Sequence, residues 1–209
     1  MRKVPVRGTL RFFVWEGGMR MDAAALIRRL EEAPVIASVK DDGGLARALE
    51  SDAQVLFLLY GDVVGVGETA ARVRQAGKAV LIHLDLVDGL AQREAAVDFI
   101  ARNTAADGIL TTKPQLVRRA RELGLVAVQR FFLLDSMALK NIERHLAQDA
   151  PDLIEVLPGL MPKVIRRLAE SARRPVVAGG LIEEKEDVVA ALAAGAVAVS
   201  ATNPAVWDM

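Results

Sequence analysis

Eight short apolar runs, separated by segments of helical periodicity, restrict the fold of this chain more than any other feature. They are Val35–Val39, Val55–Leu59, Ala79–Leu84, Gly108–Leu110, Leu125–Val128, Leu153–Leu157, Pro175–Ala178 and Ala196–Ser200. Each run is continuous rather than alternating, the pattern of strands buried on both faces of a parallel sheet. Between them, apolar residues recur at helical spacing. Leu116, Ala120 and Leu123 form one stripe, Leu139, Ile142 and Leu146 a second, and Val164, Ile165 and Leu168 a third. Pro114 and Pro162 stand where helices should start, and Gly77 and Gly124 where they should end. Asp135-Ser136 offers a cap for a helix over Met137–Ala147. Glu183–Ala194 reads as a helix, and the one near Leu45–Leu49 looks short.

Strict alternation of strand and helix predicts an α/β fold with parallel strands. Eight units favour closure into a compact (β/α)8 TIM-type barrel over an open doubly wound sheet, and no GxGxxG follows the first strand. From Pro34 onward the chain has only about 175 residues, against the ~250 usual for such a barrel, so its loops must be short. Residues 21–209 are expected to form this single domain. Residues 1–20, with Arg2, Lys3 and Arg7 beside Phe12, Phe13 and Trp15, read as an N-terminal extension, either weakly ordered or the product of a mis-assigned start.

Composition narrows the function. The chain has no cysteine and two histidines, His83 and His145, so neither a metal nor a cofactor is expected. No apolar stretch is long enough for a membrane span, and Phe12–Trp15 is too short for a signal-peptide core, which predicts a cytoplasmic protein. Lysine plus arginine equals aspartate plus glutamate at 27 each, so any RNA contact must come from a local patch. With 4% aromatic residues, extensive base stacking is not expected. Lys163, Arg166, Arg167, Arg173 and Arg174, with Glu170 as the one acid among them, are the best candidates for a phosphate-backbone patch; the alternative is a solvated helix face.

In a (β/α)8 barrel the C-terminal strand ends converge on one mouth. The seventh run closes in Gly179-Gly180, and the eighth ends in Ser200, Thr202 and Asn203. Glycines let backbone N–H groups approach an anion, and the N-terminus of a short following helix adds favourable dipole charge, so these residues are candidates for holding a phosphate. His83 and Asp85 share a parity and would leave the same strand face. His83 reads as a donor to a ligand oxygen or as a structural histidine, and Asp85 as a ligand contact or a loop brace. Glu155 lies inside a buried run and needs a partner; Arg130 and Lys113 are the candidates. Gln129 completes the set at the strand ends. A Schiff base at Lys113 is disfavoured, because a neighbouring carboxylate would keep the amine charged. No GxSxG elbow is present.

The segments His83-Leu84-Asp85-Leu86-Val87-Asp88-Gly89, Asp107–Lys113, Val128-Gln129-Arg130-Phe131-Phe132-Leu133-Leu134-Asp135-Ser136, Ile154–Gly159, Ala178–Ile182 and Gly195–Ser200 stand in order. Together they resemble the glycerol uptake operon antiterminator regulatory proteins, from about Pro34 to Trp207. The resemblance implies a non-enzymatic barrel that senses glycerol 3-phosphate and acts on a leader mRNA. It implies phosphate contacts from Gly179, Gly180 and the stretch Ser200 to Asn203. Contacts to the glycerol moiety from His83, Asp85, Lys113, Gln129, Arg130 and Glu155 are inferred from their strand-end positions. Assembly into a homo-oligomer is left open. The competing reading is a barrel enzyme acting on a phosphorylated triose or related phosphate ester, with His83 or Lys113 as acid or base. A third is a metabolite-binding barrel without RNA contact.

Overall fold

A computed structural model of the chain describes residues 19–140, 142 and 151–209. Eight parallel strands close into a barrel in sequence order: β1 Val35–Val39, β2 Val55–Leu58, β3 Ala79–His83, β4 Gly108–Thr111, β5 Val126–Phe132, β6 Leu153–Leu157, β7 Val176–Gly179 and β8 Ala198–Ala201. Closure is made by β1 against β8, with Ile36 opposite Ser200. The eight apolar runs therefore are the eight strands. Several bounds shift by one residue, and two shift by more. β5 continues through Arg130 to Phe132, and β8 begins at Ala198, because Gly195 first turns the chain at φ +99°.

The core has two layers, set by the two-residue period of a strand. Ile36, Phe57, Leu81, Leu110, Val128, Leu153, Val177 and Ala198 fill the barrel interior. Their sequence neighbours, among them Ala37, Leu56, Ile82, Ile109, Ala127 and Ile154, pack outward against the helices. Pro114 and Pro162 occupy first-turn positions of helices Pro114–Glu122 and Pro162–Ser171, where a missing N–H costs nothing. The short helix near Leu45 spans Asp42–Glu50. Residues 136–140 are helical, and Asp135 Oδ1 accepts from Ala138 N at 2.8 Å, as the expected cap requires. Apart from Ile142, the remainder of the expected Met137–Ala147 helix, with His145, lies outside the described residues. No helix among the described residues is long and apolar enough to cross a membrane.

One element has no counterpart in the sequence reading. Helix Ala23–Glu32 precedes β1, and its Leu26 and Leu30, each 1% exposed, pack into the barrel interior with Ile36, Val55 and Phe57. It stoppers the end of the barrel opposite the mouth. The chain leading into it is tied down by a buried carboxylate. Asp107 Oδ1 accepts from Met21 N at 3.0 Å and from Arg74 Nη1 at 2.9 Å, while Oδ2 accepts from Val80 N at 3.0 Å. Arg20 donates to the carbonyls of Ala106, Thr104 and Ala101. Residues 1–18 of the expected extension lie outside the described residues. The helix is capped by Asp22, which accepts from Ala25 N at 2.7 Å. Asp22→Ala should cost about 1 kcal/mol, a fall in melting temperature of about 2–4 °C. A thermal melt that does not move would mean that this helix contributes little to holding the barrel shut.

Candidate ligand site at the barrel mouth

Two residues beyond the apolar interior layer, the same parity brings a different set inward. Ser38, Leu59, His83, Arg130, Glu155, Gly179 and Ser200 follow Ile36, Phe57, Leu81, Val128, Leu153, Val177 and Ala198 along the chain. A greasy floor thus gives way to a mostly polar ring. Above it opens a cavity of about 440 Å³ lined by Ser38, Leu59, Arg130 and Ser200 from the ring and by Gly180, Leu181, Thr202 and Asn203 from the last two loops.

Glu155 organises the ring. It is fully buried and stands opposite Arg130 in the pairing of β5 with β6. Arg130 Nε donates to Glu155 Oε2 at 2.5 Å, and Ser200 Oγ donates to Oε1 at 2.5 Å. Of the two expected partners the structure uses Arg130. Lys113 instead sits at the cap position of helix Pro114–Glu122 and does not line the cavity. Gly179 is required by this triad. A Cβ there would lie 2.4 Å from Ser200 Oγ and 2.7 Å from Glu155 Oε1. The first glycine of the pair therefore makes room for the ion pair.

The second glycine shapes the loop after β7. Gly180 and Leu181 take consecutive positive φ values of +75° and +61°, the second a strained choice for a leucine and one that clusters at ligand sites. The Gly180 carbonyl is held by Gly159 N at 3.0 Å. The loop after β8 is stitched to the loop after β7 by Asn203, whose Nδ2 donates to the Glu183 carbonyl at 2.9 Å and whose Oδ1 accepts from Ala205 N at 3.1 Å. Among the described residues, none of the backbone N–H groups of Gly180, Leu181, Thr202 and Asn203 donates a hydrogen bond. Ahead of helix Lys185–Ala193, Glu183 N and Glu184 N donate to Asp187 Oδ2 at 3.0 and 3.2 Å.

His83 reaches the ring, and its Nδ1 is buried without a hydrogen-bond partner. Burial, reinforced by the Arg130 charge and only partly offset by Asp85, pushes its pKa down to about 4. At neutral pH the imidazole is uncharged, so one ring nitrogen accepts and the other donates. Asp85 does not join it as the shared parity suggested. The strand ends at His83, and Leu84–Leu86 forms a 3-10 turn that breaks the alternation. Asp85 instead accepts from Thr111 Oγ1 at 2.6 Å, Thr112 N at 2.8 Å and Thr112 Oγ1 at 2.7 Å. Burial pushes this carboxyl up, but those three donors outweigh it and hold the pKa below the usual carboxylate value. It braces the loop after β4.

Gln129 also leaves the set. As the neighbour of Arg130 on one strand it must face the other way, and it lines a separate cavity outside the barrel. That much was readable from adjacency alone. Leu181 was not, since nothing in a lone sequence marks a leucine as left-handed. Lys163, Arg166 and Arg167 project from the exposed side of helix Pro162–Ser171, whose Ile165 and Leu168 are buried. Arg173 is exposed and Arg174 half-buried in the turn that follows.

Residues 35–207 match the family model described as glycerol-3-phosphate responsive antiterminator. The chain is 40% identical over 184 residues to the uncharacterized protein YgcP of Escherichia coli (strain K12), covering 88% of this chain and 96% of that protein. It is similar to the crystal structure of a glycerol uptake operon antiterminator regulatory protein from Listeria monocytogenes, with TM-score 0.80, 32% identity and coverage of 83% of this chain and 94% of that one. A glycerol uptake operon antiterminator-related protein from Thermotoga maritima gives TM-score 0.75 and 33% identity over 84% of this chain and 98% of its own.

Proposed function

Because the chain belongs to the glycerol-3-phosphate responsive antiterminator family, we propose that it senses glycerol 3-phosphate at the barrel mouth and acts on a leader transcript without turning its ligand over. One observation carries the ligand: four residues whose backbone N–H groups have no internal acceptor line the same cavity as Arg130. An anion with several acceptor oxygens suits that set, since a phosphate can accept from several backbone N–H groups at once. In this reading the amides of Gly180, Leu181, Thr202 and Asn203 hold the phosphate. Arg130 and Ser200, which line the cavity, face the glycerol moiety, and Glu155 holds both of them in place from beneath, beside neutral His83.

The same geometry supports sensing over catalysis. A histidine base needs a group that orients it, and the Asp85 carboxylate is spent on Thr111 and Thr112. Lys113 lies off the cavity lining. Regulation would work by linkage: a ligand bridging the loops after β7 and β8 to Arg130 on β5 favours the loop arrangement that holds transcript. Lys163, Arg166, Arg167, Arg173 and Arg174 are the proposed phosphate-backbone contacts, and the cytoplasm, where transcripts are made in bacteria, is the proposed setting.

A thermal-shift panel tests the ligand. Glycerol 3-phosphate at about 100 times Kd should add roughly 2.7 kcal/mol, a rise in melting temperature of about 5 °C or more, while glycerol alone should add nothing measurable. Gly180→Leu should remove the shift, because a side chain there is strained at φ +75° and its Cβ would press on Leu157 at 3.1 Å. Equal shifts from glycerol and glycerol 3-phosphate would defeat the phosphate assignment. Isomerase, aldolase or phosphatase turnover that disappears in His83→Ala would defeat the non-enzymatic reading.

A further inference from the structure

The cavity outside the barrel belongs to no role given so far. It measures about 230 Å³ and lies between β5, the start of helix Pro114–Glu122 and the helical turn that begins at Ser136. Gln129 lines it. Its side chain is 1% exposed, and both Oε1 and Nε2 lack a hydrogen-bond partner. A buried primary amide with both ends unsatisfied is among the least tolerated groups in a folded protein. Here it offers an acceptor and a donor side by side in one plane. The walls are flat and apolar, made by Pro114, Phe131 and Phe132, and Phe132 is 53% exposed at the entrance. The Thr112 hydroxyl, which donates to Asp85, adds an acceptor.

From this arrangement we propose that the cavity is a recognition pocket for a single unpaired nucleobase of RNA. The inference rests on the RNA-binding reading above and assigns it a surface. A nucleobase is planar, presents adjacent donor and acceptor atoms along its edge, and stacks on aromatic rings. Those are the three properties that the amide fork, the size and the phenylalanine walls select. The volume falls below the ~300 Å³ where pockets for drug-sized ligands begin and fits one ring system rather than a base pair. A single stacked base also accords with a chain of only 4% aromatic residues. Cations stand on the elements that line the pocket: Lys113 between Thr112 and Pro114, and exposed Lys140 on the helical turn. The one acid at that turn's start, Asp135, is engaged in capping Ala138. Helix Pro162–Ser171, carrying Lys163 and Arg166, follows β6, the neighbour of β5, so a strand leaving the pocket meets further positive charge.

The test compares native protein with Gln129→Leu and Phe132→Ala. Fluorescence anisotropy would be measured on single-stranded RNA 12-mers of A, C or U and on an RNA duplex of equal length, with and without glycerol 3-phosphate. Native protein should prefer at least one single strand over the duplex. Each variant should bind that strand about tenfold more weakly, the scale of one lost stacking or edge contact. Gln129→Leu should also raise the melting temperature, by about 3 °C, because it removes an unsatisfied buried amide. The thermal shift by glycerol 3-phosphate should be unchanged in both variants. If native protein binds single strands and the variants bind equally well, the pocket assignment is overturned and the RNA-binding reading survives. If native protein binds no single strand with or without ligand, or prefers the duplex, the pocket does not take a base. Concentration-dependent dimerisation abolished by Phe132→Ala would put a second copy on this face and overturn the proposal.

Discussion

Glu155→Ala should lower the melting temperature by about 10 °C and abolish ligand-induced stabilisation. The carboxylate is fully buried and holds both Arg130 Nε and Ser200 Oγ at 2.5 Å. Removing it leaves a guanidinium that is only 9% exposed without its counter-ion. Breaking a buried pair from one side costs about 3–5 kcal/mol, and in a chain of this size each kilocalorie moves the midpoint by about 2–4 °C. The double variant Glu155→Leu with Arg130→Met separates stability from binding. It buries apolar groups in place of both charges and should recover most of the lost stability, while the response to glycerol 3-phosphate stays absent. A double variant that still responds normally would show that the pair only braces the barrel. A single variant that melts like the native protein would show that water reaches Arg130 and that the ring is less closed than its geometry implies.

Acidification should destabilise the protein well above the range where carboxylates titrate, and His83 should be the reason. Its folded pKa of about 4 lies below the ordinary histidine value of ~6.5. The folded state therefore binds fewer protons than the unfolded chain between those two values. The sign follows: the contribution is fully present above about pH 6.5, is lost as pH falls toward 4, and amounts to about 3 kcal/mol across that window. Asp85 acts on a lower window. Its folded pKa is held beneath the usual carboxylate value, so its contribution disappears only once acid protonates it. Denaturant midpoints measured from pH 7 to pH 4 check both. His83→Gln should flatten the slope between pH 6.5 and 4.5 and leave the acid limb in place. A slope unchanged in His83→Gln would assign the effect elsewhere.

Which parts of this site were legible in advance follows from how far each inference had to reach through space. Position along a strand is a local property, so Ser200, Glu155, Gly179 and Arg130 could be placed near the mouth from their apolar runs. Adjacency is local as well, and it already forbade Gln129 and Arg130 from sharing a face. Parity is lost where the chain turns away from the strand direction. That is why His83 stands in the ring while Asp85, two residues later and beyond the 3-10 turn, braces Thr111 and Thr112 instead. Helix Ala23–Glu32 went unread because its function is to stopper a barrel end, and that end exists only once eight strands have closed.

The sequence by itself determined the eight-strand α/β alternation, the apolar interior, the family and the short list of polar strand ends. These depend on side-chain periodicity, which the chain carries with it into any environment. Tertiary structure decided the rest: that Arg130 and not Lys113 neutralises Glu155, that Gly179 is a glycine because Ser200 and Glu155 occupy the space of its Cβ, and that Leu181 is held left-handed. It also decided that Gln129 is buried with nothing to bond. Each of these is a contact between segments distant in sequence. Its energy depends on distance and desolvation, and neither has a value until the barrel has closed.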